Sequence, residues 1–210
     1  MALANSYIGL NYFSGGITIP NISSTDVVEQ VEYAINRYES QFLTDLLGYK
    51  FYDLVKSNTN WSNVPLDGTS SIYTNIIQGT SYNRNDGYRV ITEGLTGDII
   101  YNANSGFYRS PIANYVYYQY MRENQSQTSN VGEVYLQSEN SIRVSSNNKM
   151  VTAWNEMVDL LWVLHDFIMD NEAKYPDYIG FEYEPIWNPR NFTYLMPNQK
   201  LFVKINPLGL

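Results

Sequence analysis

SPIANYVYYQYMRENQSQTSNVGEVYLQSENSIRVSSNNKMVTAWNEMVDLLWVLHDFIMDN, residues Ser110 to Asn171, decides the fold. Ser110 followed by Pro111 specifies a helix start, because proline in the first turn gives up no intrahelical bond. From there to Met121, Ile112, Val116, Tyr117, Tyr120 and Met121 recur at helical spacing and spread an aromatic-rich face. A second helix over 147–171 carries Met150, Trp154, Met157, Leu161, Leu164 and Ile168 on one stripe. The two stripes are expected to meet. Burying six such side chains contributes on the order of 10 kcal/mol gross, most of it offset by chain entropy. Between them, Asn124 to Lys149 is too polar to form a core of its own, with Val134, Leu136, Ile142 and Val144 as its apolar anchors.

Upstream, Thr25 reads as an N-cap, and Asp26 and Glu29 place negative charge in the first turn, where the helix dipole favours it. Val28, Val31, Ile35, Tyr38, Phe42 and Leu46 follow at three- and four-residue steps, and Gly48 supplies a stop. Residues 49–55 repeat a short helical pattern in which Phe51, Tyr52 and Val55 can fold back on the preceding helix, giving a helical hairpin before the polar break 56–63. Residues 64–109 are rich in Gly, Asn, Ser, Thr and Asp. They hold a short helical possibility at 71–78 and an Asp86-Gly87 pair suited to a tight β-turn between Tyr82 and Tyr88 to Ile91.

From Tyr175 the chain changes character. Pro176, Pro185, Pro189, Pro197 and Pro207 forbid long helices, yet Phe181, Tyr183, Ile186, Trp187, Phe192, Tyr194, Phe202 and others are too apolar to leave in water. This tail either wraps its own domain or docks as an arm on a partner subunit. The expected architecture is therefore mainly α: a bundle of about four helices over 1–174, with a loop and β excursion at 64–109 and a polar connector at 125–148. An extended Pro-rich C-terminal arm follows over 175–210.

Composition limits the function. The 210 residues, 44% hydrophobic and 16% charged, suit a folded domain with extensions. A formal charge of −8, with no run among the 13 Lys and Arg, opposes tight binding to phosphate backbones. Zero cysteines remove thiolate catalysis and Cys-ligated zinc and fit assembly in a reducing cytoplasm. The N-terminus has neither the basic nor the apolar stretch of a secretory signal, and no apolar run approaches a membrane span.

Candidate chemistry is thin. His165, the single histidine, has no second imidazole for a metal and no nucleophile at recognisable spacing, and reads as a helix-surface or boundary residue making one ordinary hydrogen bond. Glu156, Asp159, Asp166 and Asp170 read as solvated helix surface rather than a metal or glycosidase pair. The glycines match neither nucleotide-binding fingerprint. No enzymatic activity and no cofactor are expected.

The phrases IANYVYYQY and AWNEMVDLL within residues 110–171, and LLGYKFYDL within the earlier run VEYAINRYESQFLTDLLGYKFYDLV, resemble head-to-tail connector (adaptor) proteins of tailed bacteriophages. The similarity is to those of crAss-like and other Bacteroidetes phages, and it covers about half the chain. It implies a structural virion protein assembled in the host bacterial cytoplasm. Its subunits would form a homo-oligomeric ring of twelve copies beneath the portal protein, contact tail proteins, and line a conduit that DNA crosses without specific binding. The inter-subunit contacts expected on the connector and the arm are Val134, Leu136, Ile142, Val144, Phe181, Tyr183, Trp187, Phe192 and Tyr194. Another tail-side ring or stopper is the nearest alternative. A carbohydrate-binding protein, motivated by 20 tyrosines and an acidic balance, is the more distant one.

Overall fold

The computed structural model describes residues 6–59, 72–84, 86–98, 108–124, 127–129, 132–134, 147–178, 202, 204 and 205. The fold is mainly helical, as the periodicity predicts. Helix α1 spans Thr25–Asn58 and is broken at Gly48, whose φ of 72° and ψ of 156° are not helical. A residue with a Cβ adopts that left-handed φ only under strain, so the glycine sets the break. Ser24, not Thr25, occupies the N-cap position, and Thr25 is the first helical residue. Beyond the break Phe51, Tyr52 and Val55 are buried, and Tyr52 lies across from Ser40, the two lining one surface groove with Ile35 and Glu39. A straight helix would hold residues 40 and 52 about 18 Å apart, so the second half folds back on the first as a hairpin. It runs on to Asn58, into the expected polar break 56–63.

Helix α2, Ile72–Gln78, leads directly into strand β1, Thr80–Asn83, which pairs antiparallel with β2, Arg89–Thr92. The register runs from Thr80 opposite Thr92 to Asn83 opposite Arg89. Gly87 takes a φ of 86° in the connecting turn, and the Asp86 carboxylate accepts from the Tyr88 amide at 3.1 Å. Gly79 and Gly94 bring two backbones together where this hairpin leaves α2: a Cβ on Gly79 would lie 2.3 Å from the Thr92 carbonyl oxygen, and one on Gly94 would lie 2.3 Å from the Gly79 nitrogen.

Helix α3, Pro111–Glu123, starts as the sequence predicts, with the Ser110 hydroxyl accepting from the Ala113 amide at 3.1 Å and Pro111 in the first turn. The same hydroxyl donates to the Leu95 carbonyl at 2.8 Å. Leu95 in turn donates its amide to the carbonyls of Ile76 and Ile77. One turn thus fastens the end of α2 to the start of α3. Helix α4, Asn147–Asp170, makes the most extensive helix-to-helix contact of the fold with α3. Ile112, Val116, Tyr117, Met157, Leu161, Leu164 and Ile168 are all buried, and Trp154 stacks at a tilt on Tyr118 at 4.8 Å between centroids. The α3–α4 connector begins with a second antiparallel hairpin, β3 Gln127–Ser129 and β4 Gly132–Val134.

Two parts of the core lie outside the helical stripes. The N-terminal segment contributes Tyr7, Ile8, Tyr12, Phe13, Ile17 and Ile19, all buried. It is fastened by Glu39 of α1, which accepts hydrogen bonds from the Ser6 hydroxyl at 2.6 Å and from the amides of Tyr7 and Ile8 at 3.0 and 3.3 Å. The described part of 175–210 also packs on the chain itself. Tyr175 is buried and donates to the Ile72 carbonyl at 2.9 Å, while Tyr178 lies against Phe51. Phe202 sits edge-on to Phe42, and the Asn155 side chain both donates to and accepts from the Ile205 backbone at 2.9 Å.

Candidate functional site

The groups able to do chemistry are used structurally. His165 is 5% exposed, which corrects the expectation of a surface or boundary position, and its Nδ1 lies 3.1 Å from the Tyr178 hydroxyl. It is buried because Tyr178, from the stretch after α4, returns to cover that helix face. Glu156 pairs with Arg109 at 3.1 Å, Asp159 with Lys204 at 2.6 Å, and Asp170 with Arg84 at 3.7 Å. Asp166 is exposed. The four carboxylates therefore serve a solvated helix surface, as their spacing predicts. Among the described residues no three His, Asp or Glu gather in a way that could hold a metal ion, and no helix is long and apolar enough to cross a membrane.

Among the grooves that the described residues form, two lie at opposite ends of α3. The first, of about 460 Å³, lies at its N-terminal end and is walled by α4 and the N-terminal segment. Its lining includes Ile17, Tyr108, Arg109, Asn114, Lys149 and Glu156. Arg109 is held between two carboxylates, Glu93 at 2.9 Å and Glu156 at 3.1 Å, so its charge is already answered. Lys149 is exposed at the start of α4. Asn114 is 2% exposed, and its side-chain amide has no hydrogen-bond partner among the described residues. Among the described residues the buried side-chain polar atom left without a hydrogen bond is Thr74 Oγ1, so the Asn114 amide meets water through the groove and is open there to a ligand's donor or acceptor.

The second groove, of about 510 Å³, lies at the C-terminal end of α3 and is walled by the first turns of α1. Asp26, Glu29 and Glu123 make it acidic, and Tyr33 and Tyr120 supply rings. Asp26, Glu29 and Tyr33 fall at i, i+3 and i+7, one face of the helix. Tyr33 is 62% exposed. Tyr120 is buried, and its hydroxyl has no hydrogen-bond partner among the described residues. Glu123 is engaged by Arg37 at 3.2 Å and by the Tyr38 hydroxyl, which leaves Asp26 and Glu29 as the acids without an ion pair in this groove.

Of the contact residues expected from sequence, Val134 falls in β4, opposite Gln127. Leu136, Ile142, Val144, Phe181, Tyr183, Trp187, Phe192 and Tyr194 lie outside the described residues. Sequence reading passed over Tyr33, Asn114 and Lys149. Tyr33 sits off the apolar stripe of α1, which was a signal available in the sequence. Asn114 becomes a groove residue only once α4 is placed beside it. Comparison with protein-family models, with curated proteins and with solved structures gives no significant match.

Proposed function

We propose that the chain is a structural subunit of a head-to-tail connector ring in a tailed bacteriophage, joining portal to tail and enclosing part of the DNA conduit. The observation that carries this reading is the connection between α3 and α4. These helices pack against each other more extensively than any other pair, yet residues 124–146 separate them. Helix-to-helix connections in bundles need about 2–8 residues. The excess is polar, opens with the β3–β4 hairpin, and carries few apolar residues, Val134, Leu136, Ile142 and Val144 among them. Such a segment serves contacts beyond its own helices, with neighbouring subunits or the portal. Exposed Tyr33, Tyr49, Tyr88, Ile91 and Met169 add apolar surface of the kind that partners cover.

The acidic balance of the chain suits a wall that DNA must slide past, since like charge keeps phosphates from adhering. Another tail-side ring or stopper would use the same surfaces at a different level of the virion. Electron microscopy of the purified chain, alone and mixed with portal and tail proteins, tests the reading, beside a variant in which a short Gly-Ser linker replaces 125–146. Wild type forms rings or binds the portal; the variant keeps its helical circular dichroism but loses assembly. A monomer that ignores both partners, or a variant that assembles as well as wild type, overturns it.

A further inference from the structure

We infer that successive copies in the ring meet head to tail through the two α3 grooves, with Tyr33 of one copy entering the Asn114 groove of the next and Lys149 pairing with Asp26 and Glu29. The inference rests on the ring reading and names the joint that closes it. A heterologous contact requires two different, complementary patches on each copy. The grooves meet that requirement. They sit at opposite ends of α3, on the order of 15 Å apart at about 1.5 Å per residue, and are walled by different helices, α4 for one and α1 for the other.

Their chemistry is complementary. The first groove presents two exposed cations, of which Arg109 is neutralised by its two carboxylates and Lys149 is left to pair outward. The second presents Asp26 and Glu29 on the helix face that also carries Tyr33. At about 460 Å³ the first groove has room for an aromatic side chain, and Ile17, Ala153 and the Tyr108 ring give that side chain apolar contact. The Asn114 amide then finds a partner in the Tyr33 hydroxyl. The Tyr120 hydroxyl, which lines the second groove with Asp26 and Glu29, similarly gains a group from the incoming copy. Tyr49 and Tyr88 are more exposed than Tyr33, but neither lines a groove with these acids.

Charge reversal tests the joint, because every residue changed is exposed and folding can be checked by circular dichroism. Lys149→Glu and the double change Asp26→Lys with Glu29→Lys should each weaken association at least about tenfold, since like charges then face each other across the contact. Mixing the two reversed chains should restore rings, as both of their joints again pair opposite signs. Tyr33→Ala should weaken assembly, and Tyr49→Ala should not. If wild type assembles and the reversals leave association unchanged, or if mixing rescues nothing, this joint is wrong while the ring stands. A wild-type chain that stays monomeric at all concentrations overturns the ring and the joint together.

Discussion

The Glu39 carboxylate in the middle of α1 accepts a hydrogen bond from the Tyr7 amide at 3.0 Å, so one charged group ties the start of the chain to its longest helix. Tyr7 also reaches the far arm of the hairpin, its hydroxyl 2.9 Å from that of Thr59. The N-terminal segment therefore bridges both arms of α1.

Burial pushes the Glu39 carboxyl up to about 7, against the pull of its hydrogen bonds from Ser6, Tyr7 and Ile8. A pKa raised in the folded state means stability is fully present below the unfolded value of 4.5 and is lost as pH rises through about 7. Urea unfolding at pH 4 and pH 8.5 should show wild type losing roughly 3 kcal/mol more than Glu39→Gln over that interval. Parallel pH dependence of the two proteins would mean the carboxyl titrates normally.

Gly79→Ala should destabilise the chain by about 2–4 kcal/mol, combining a positive φ with a backbone clash. The Cβ would press on the carbonyls of Thr92 and Glu93, neither of which can swing away. Gly87→Ala is the control: its φ is also positive, but no atom lies within 4 Å of the added carbon, so a loss of about 1–2 kcal/mol is expected. Equal urea midpoints for the two variants would contradict the close approach.

Ser110→Ala removes the cap of α3 and strands a buried carbonyl on Leu95, because a single hydroxyl serves both. The Ile112 amide still reaches that carbonyl at 3.3 Å, which limits the damage. A loss of about 2–3 kcal/mol is expected in denaturant unfolding. Ser110→Thr should recover most of it.

Phe202→Ala should lower stability by about 3 kcal/mol, since the ring is buried against Phe42 and Trp154. Asn155→Ala, which frees the Ile205 backbone, should speed hydrogen exchange at that amide without unfolding α4. If Phe202→Ala unfolds at the wild-type midpoint, the end of the chain does not rest on its own helices.

The sequence by itself determined the helices. Apolar stripes at 3.6-residue spacing, Gly48, Ser110-Pro111 and Asp86-Gly87 are local signals, and each appears in the fold where its chemistry requires. Only the tertiary structure decided what covers the helices and where the grooves fall. Glu39 looks like an ordinary surface acid of an amphipathic helix until residues 6–8 cross it, and His165 becomes buried only when Tyr178 returns to it. Asn114 comes to line a groove only when α4 lies beside α3. Periodicity reports which face of a helix is apolar, whereas burial of a polar group depends on segments distant in the chain, whose meeting no local pattern encodes.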